Sequence, residues 1–69
     1  MKTQLLVRFG KKLRQERKQR GISQEKLGQL AKVHRTYVGM IERAEKNITL
    51  KSADKLAGAL GLKVNDLID

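Results

Sequence analysis

The stretch Ser23-Gln24-Glu25-Lys26-Leu27-Gly28-Gln29-Leu30-Ala31-Lys32-Val33-His34-Arg35-Thr36-Tyr37-Val38-Gly39-Met40-Ile41-Glu42-Arg43 decides the architecture of this chain. Ser23 offers a hydroxyl to the first-turn amides of a short helix, and Glu25 stands near the positive end of its dipole. Leu27, Leu30 and Ala31 give that helix an inward face. A helix of about eight residues is not stable alone in water, so this one exists to pack on something. Lys32-Val33-His34 leaves space only for a tight turn, with His34 as a capping residue rather than a ligand or base. A second helix starts near Arg35 and runs to about Arg43. At about 100° per residue its buried side holds Val38 and Ile41, and its outer side holds Arg35, Thr36, Gly39, Met40 and Arg43. Glu42, its one carboxylate, falls beside the core. Gly28 is small enough to let the two helices approach. Lys32 stands where such turns usually carry glycine, which predicts a strained left-handed residue or an altered turn.

Working outward, residues Thr3 to Gln19 read as a helix with Leu6, Phe9 and Leu13 at i, i+3, i+7. The next place on that stripe is Arg17. An arginine at the core rim requires a carboxylate there, and Glu42 is its predicted partner. Gly21 stops this helix. Beyond the central pair, Ala44 to Ile48 is a connection, and Thr49 caps a helix over Leu50 to Leu60 with Leu50, Ala53, Leu56, Ala57 and Leu60 inward. Gly61 ends it. A final turn, Val64 to Ile68, carries Val64, Leu67 and Ile68 on one side. No run alternates apolar and polar residues long enough to make a strand. The expectation is an all-α, compact five-helix bundle forming one domain over 1–69.

A chain of 69 residues has a thin core, burying roughly 60 % of its unfolded surface. It contains no cysteine, which excludes disulfides, thiolate metal sites and a cysteine nucleophile. One histidine builds no metal site unaided. No metal and no cofactor are expected. The two serines, Ser23 and Ser52, are explained as cap and helix-start residues, and no glycine-rich phosphate loop is present, so an enzyme is not expected. No segment approaches the ~18 apolar residues of a membrane span, and Met1 to Arg8 lacks a signal-peptide core, so the chain is expected in the cytoplasm. Two aromatic residues are too few for RNA stacking or for a membrane-surface helix.

The net charge is +9, and it is unevenly placed. Residues 1–20 carry eight basic and one acidic side chain, residues 21–48 five and three, and residues 49–69 three and three. A basic half joined to a neutral half points to a polyanion on one side and something else on the other. A short capped helix, a three-residue turn and a helix with a basic, acid-free outer face make a helix-turn-helix over 24–43, of which the second helix enters a DNA major groove.

The segments S-Q-E-K-L at 23–27, H-R-T-Y-V-G-M-I-E-R at 34–43 and K-N-I-T-L at 46–50 resemble the Cro/repressor-like (Xre-type) regulators, and within them the controller proteins of restriction–modification systems. The resemblance spans about residues 6–68. It implies the lambda-repressor-like DNA-binding fold and a sequence-specific transcriptional regulator acting as a homodimer on a palindromic double-stranded DNA operator. It implies that Arg35 and Thr36 read bases and that Gln24, Arg43, Lys46 and Asn47 contact phosphate; by their angle on the same helix Met40 and the backbone at Gly39 join the base-reading set, and Tyr37 and the cap Ser23 join the phosphate contacts. Arg17 and Glu42 match a structural ion pair of the family. The neutral end, about 50–69, is the expected dimerisation end, with Leu62, Val64, Leu67 and Ile68 at the interface. Two departures stand out: Ala44 where glycine is common, and Glu45 in a segment expected near phosphate unless it pairs with Lys46. With no effector domain in 69 residues, no small-molecule effector is expected. Regulation would run through dimer concentration, operator spacing and contact with, or blocking of, RNA polymerase. The competing readings are a protein-binding helix-turn-helix module such as an antitoxin, and a phage-type repressor. A DNA footprint separates the protein-binding module from the other two.

Overall fold

The computed structural model describes residues 3–69, and every regular element among them is helical: α1 Gln4–Gln19, α2 Gln24–Ala31, α3 Arg35–Glu42, α4 Leu50–Ala59 and α5 Val64–Ile68. Each start has a local cause. Thr3, Ser23 and Thr49 place hydroxyl oxygens 3.1, 2.9 and 3.0 Å from the amides of Leu6, Lys26 and Ser52, satisfying donors that no helical carbonyl can reach. His34 does the same for α3, its Nδ1 accepting from the Thr36 amide at 3.0 Å. Asp66 accepts from the Lys63 amide at the head of α5.

The ends of α1 to α4 share one device. The amides of Ile22, Val33, Glu45 and Leu62 donate five residues back to the carbonyls of Arg17, Gly28, Met40 and Ala57. Closing that ring requires a left-handed residue just before the donor, and Gly21, Lys32, Ala44 and Gly61 all have φ between +57° and +73°. At Gly21 and Gly61 the conformation carries no steric penalty. Lys32 and Ala44 hold it with a Cβ, at roughly 1–2 kcal/mol each.

The helices close a ring around one core, α1 packing on α3, α3 on α2, α2 on α4, α4 on α5 and α5 back on α1. Phe9, Leu13, Leu27, Ala31, Val38, Ile41, Ala53, Leu56, Ala57, Leu60 and Leu67 fill it. Three sequence expectations need correction. Leu30 is not inward; it is half exposed on α2. Leu50 is 85 % exposed, because the first residue after the Thr49 cap projects past the edge of the core. Leu67, assigned to an interface, is fully buried, since α5 is folded back onto α1 and α4 and presents this side chain to the core.

Candidate nucleic-acid interface

The outer face of α3 is positioned by its inner face. Val38 and Ile41 are fully buried against the core, which fixes the helix rotation and leaves Arg35, Thr36 and Arg43 exposed, with Tyr37 and Met40 half-buried. Tyr37 packs against the core while remaining partly open.

The axial position of α3 is set by Arg17 and Glu42. Arg17 Nε and its terminal nitrogens donate to Glu42 Oε2 at 2.7 Å, to Glu42 Oε1 at 3.0 Å and to the Ile22 carbonyl at 2.9 Å. One guanidinium therefore ties the end of α1, the α1–α2 turn and the end of α3 together. Side-on pairing of this kind satisfies both groups where water is largely excluded. The Glu42 hydrogen bond raises the Arg17 pKa above its ordinary value; burial opposes the shift, and the charge of Glu42 adds to it. Gln24, at the start of α2, donates its amide to Glu42 Oε1 at 3.1 Å, so the two short helices share this anchor.

Two glycines permit the approach. At Gly28 a Cβ would lie 2.7 Å from the Val33 carbonyl oxygen, so the turn between α2 and α3 has no space for a side chain. At Gly10 it would collide with the Ile41 carbonyl oxygen, where α1 runs against the end of α3. The role of Gly10 was not foreseen, since a lone glycine inside a helical pattern gives no periodic signal.

Gly39 is a correction. It is buried, with Gln24 and Arg43 side-chain atoms lying 3.1–3.6 Å from where a Cβ would be, and so offers no open backbone to a base. Its missing side chain instead gives the Gln24 amide a path across α3. Arg20 donates to Glu16 and to the Leu60 carbonyl, and so joins α1 to α4. Glu45 pairs with Arg43 at 3.0 Å, not with Lys46. Arg35 donates to Glu25 at 3.3 Å, a contact missed from sequence because it crosses between helices and lies in neither one's periodicity. Ser23 is exposed at the α2 cap, and Lys46 and Asn47 are exposed beyond α3. Leu62, Val64 and Ile68 are half-buried at the opposite end of the ring. Between α1, α4 and α5 lies an apolar groove of about 290 Å³ whose lining includes Leu5, Leu6, Ile48, Leu50, Val64 and Ile68.

Chemically, the α3 face offers guanidinium, hydroxyl and thioether groups and no carboxylate of its own. Such a surface suits a ligand rich in acceptors and negative charge. Among the described residues no cluster of His, Asp and Glu could hold a metal ion, and no helix is long and apolar enough to cross a membrane.

Residues 13–67 match the family described as helix-turn-helix. The control protein C.BamHI of Bacillus amyloliquefaciens is 40% identical over 70 residues, covering 100% of this chain and 86% of that protein. The crystal structure of the restriction–modification controller protein C.AhdI from Aeromonas hydrophila superposes with a TM-score of 0.85 at 44% identity, covering 90% of each chain. A hypothetical transcription factor from Neisseria superposes at 0.90, with 35% identity over 94% of this chain and 75% of that one.

Proposed function

The chain belongs to the helix-turn-helix family, and from that premise we propose that it binds double-stranded DNA as a transcription regulator of the controller kind. It acts in the cytoplasm as a homodimer on a palindromic operator. The observation that carries this reading is the exposed cationic face of α3 seated on the Arg17–Glu42–Gln24 anchor. A helix held at a fixed depth and rotation can present the same side chains to each base pair it meets.

In this reading Arg35 grips guanine O6 and N7 with two bonds, for ~1–3 kcal/mol of discrimination. Thr36 and Met40 complete the base contacts, Met40 against a thymine methyl. Ser23, Gln24, Tyr37, Arg43, Lys46 and Asn47 contact phosphate and set the register. Two protomers pair through the end of the ring opposite α3, using Leu62, Val64 and Ile68 together with exposed Leu50, and so set their α3 helices about 34 Å apart, one DNA turn. Bound dimer then contacts polymerase or blocks it. No small-molecule effector enters this scheme.

The test is selection from a pool of randomised duplexes, followed by anisotropy titration of the enriched duplex at several salt concentrations. A two-fold symmetric motif should emerge, with affinity falling steeply as salt rises. Arg35→Ala should relax preference at one base pair per half-site, whereas Arg43→Ala should weaken all sequences alike and flatten the salt slope. Failure to enrich any sequence would remove the assignment.

A further inference from the structure

All four glutamates of the chain bond to an arginine: Glu16 to Arg20, Glu42 to Arg17, Glu25 to Arg35 and Glu45 to Arg43. The Glu42–Arg17 pair ties α3 to α1, and Glu16 holds along α1 an arginine that itself reaches the Leu60 carbonyl. The last two flank the exposed face of α3, one at each end, and they differ in kind. Arg43 and Glu45 are two residues apart in one turn. Glu25 stands in the first turn of α2 and reaches across to the first residue of α3, flanking an open cleft that Gly28, Lys32, Val33 and His34 also line.

Resting on the DNA-reading assignment above, we propose that Glu25 is the positioning residue for Arg35, directing its guanidinium to a base edge instead of a phosphate. Arginine is a long side chain with five donors in a planar fork. One terminal nitrogen of Arg35 lies 3.3 Å from Glu25 Oε2, so the pair engages one edge of the fork and leaves the others free. In solvent such an exposed pair contributes little. Covered by a duplex, the same pair sits in a lower dielectric and its attraction grows. A guanidinium that left Glu25 for a phosphate would strand a carboxylate among phosphates; one that stayed keeps its free edge for guanine. Discrimination therefore comes from the carboxylate as much as from the arginine.

The experiment uses the full chain with Glu25→Gln, Glu25→Asp, Glu45→Gln, Arg35→Ala and the Glu25→Gln/Arg35→Ala double variant. The probes are a randomised duplex pool, the duplex enriched by the unaltered protein, and copies of that duplex with each base pair replaced in turn. Glu25→Gln should bind the random pool about two- to fivefold more tightly, the range expected for loss of an exposed charge pair. It should also lose about tenfold of the preference at one base pair per half-site. Glu25→Asp, one methylene too short to reach, should lose that preference while keeping ordinary affinity for the random pool. Glu45→Gln should tighten binding to every duplex and leave base preference intact. In the Arg35→Ala background, Glu25→Gln should leave base preference unchanged, because its effect passes through Arg35. Full base preference in Glu25→Gln, or an equal loss with and without Arg35, would overturn the proposal. If the unaltered protein enriches no sequence, the DNA-reading assignment fails first and the proposal with it. Glu25 is exposed, and unchanged circular dichroism melts of both Glu25 variants separate lost reading from lost fold.

Discussion

Lys32 and Ala44 adopt the same left-handed backbone, yet replacement by glycine should have different outcomes at the two sites. Relief of the Cβ clash is worth about 1–2 kcal/mol, set against roughly 0.5–1 kcal/mol of extra glycine freedom. Lys32 is exposed and gives up no packing, so Lys32→Gly should raise the melting temperature by a few degrees in calorimetry. Ala44 is buried, and removing its methyl forfeits about 0.8 kcal/mol more, so Ala44→Gly should come out near neutral. The Arg17–Glu42 pair lies at the other extreme. Glu42→Ala leaves the Arg17 charge uncompensated in a largely buried site, and should cost ~3–5 kcal/mol in urea denaturation. Because the pKa of Arg17 in the fold is raised, its stabilising charge persists at every pH below its ordinary value and is lost only as pH climbs through the raised one; neutral or acidic titration leaves Arg17 charged. The position of Arg17 on its helix face was readable, since a stripe of apolar residues leads to it. The Gln24 bond to Glu42 was not readable, because it depends on how closely α2 crosses α3 at Gly39.

Helix by helix, three glycines should respond in two ways to alanine. Gly10→Ala gains about 1 kcal/mol of helix propensity, but its Cβ meets two backbone carbonyls that cannot rotate away, so net loss of 1–3 kcal/mol is expected from thermal melts. Gly28→Ala should disrupt the α2–α3 turn for the same reason. Gly58, near the end of α4 with nothing within 4 Å of its would-be Cβ, should give a modest stabilisation of up to ~1 kcal/mol. A destabilised Gly58→Ala would show that the end of α4 is tighter than described. Helix starts were legible because Thr3, Ser23 and Thr49 carry the chemistry of a cap in their own side chains. Facing was less so. Periodicity gives the angle of Leu30 and Leu50 on their helices, but not whether another helix stands opposite, and at both positions none covers them. The pairing of Glu45 escaped for a related reason: helical angles end at Arg43, and the left-handed Ala44 redirects the chain.

For the molecule as a whole, the proposed function gives the basic half of the sequence to DNA and the neutral half to a second copy. If the neutral end joins two copies, Leu50→Asp should give a monomer in sedimentation with an intact helical spectrum, and much weaker binding to a symmetric duplex. An unchanged dimer would move the interface elsewhere. Leu67→Asp tests a different property, because a carboxylate at a fully buried site should unfold the chain outright.

The preference of every glutamate for an arginine has a further consequence for the cations left over. Among the described residues no lysine forms an ion pair, so guanidinium groups carry the internal fastening and ammonium groups remain available to the solvent and to any polyanion in it. Mild acetylation of the ammonium groups should therefore leave the melting point almost where it was while stripping away much of the attraction to nucleic acid. Reagents that attack guanidinium groups should dismantle the fold through Arg17 and Arg20, and at Arg35 and Arg43 should remove the proposed DNA contacts as well.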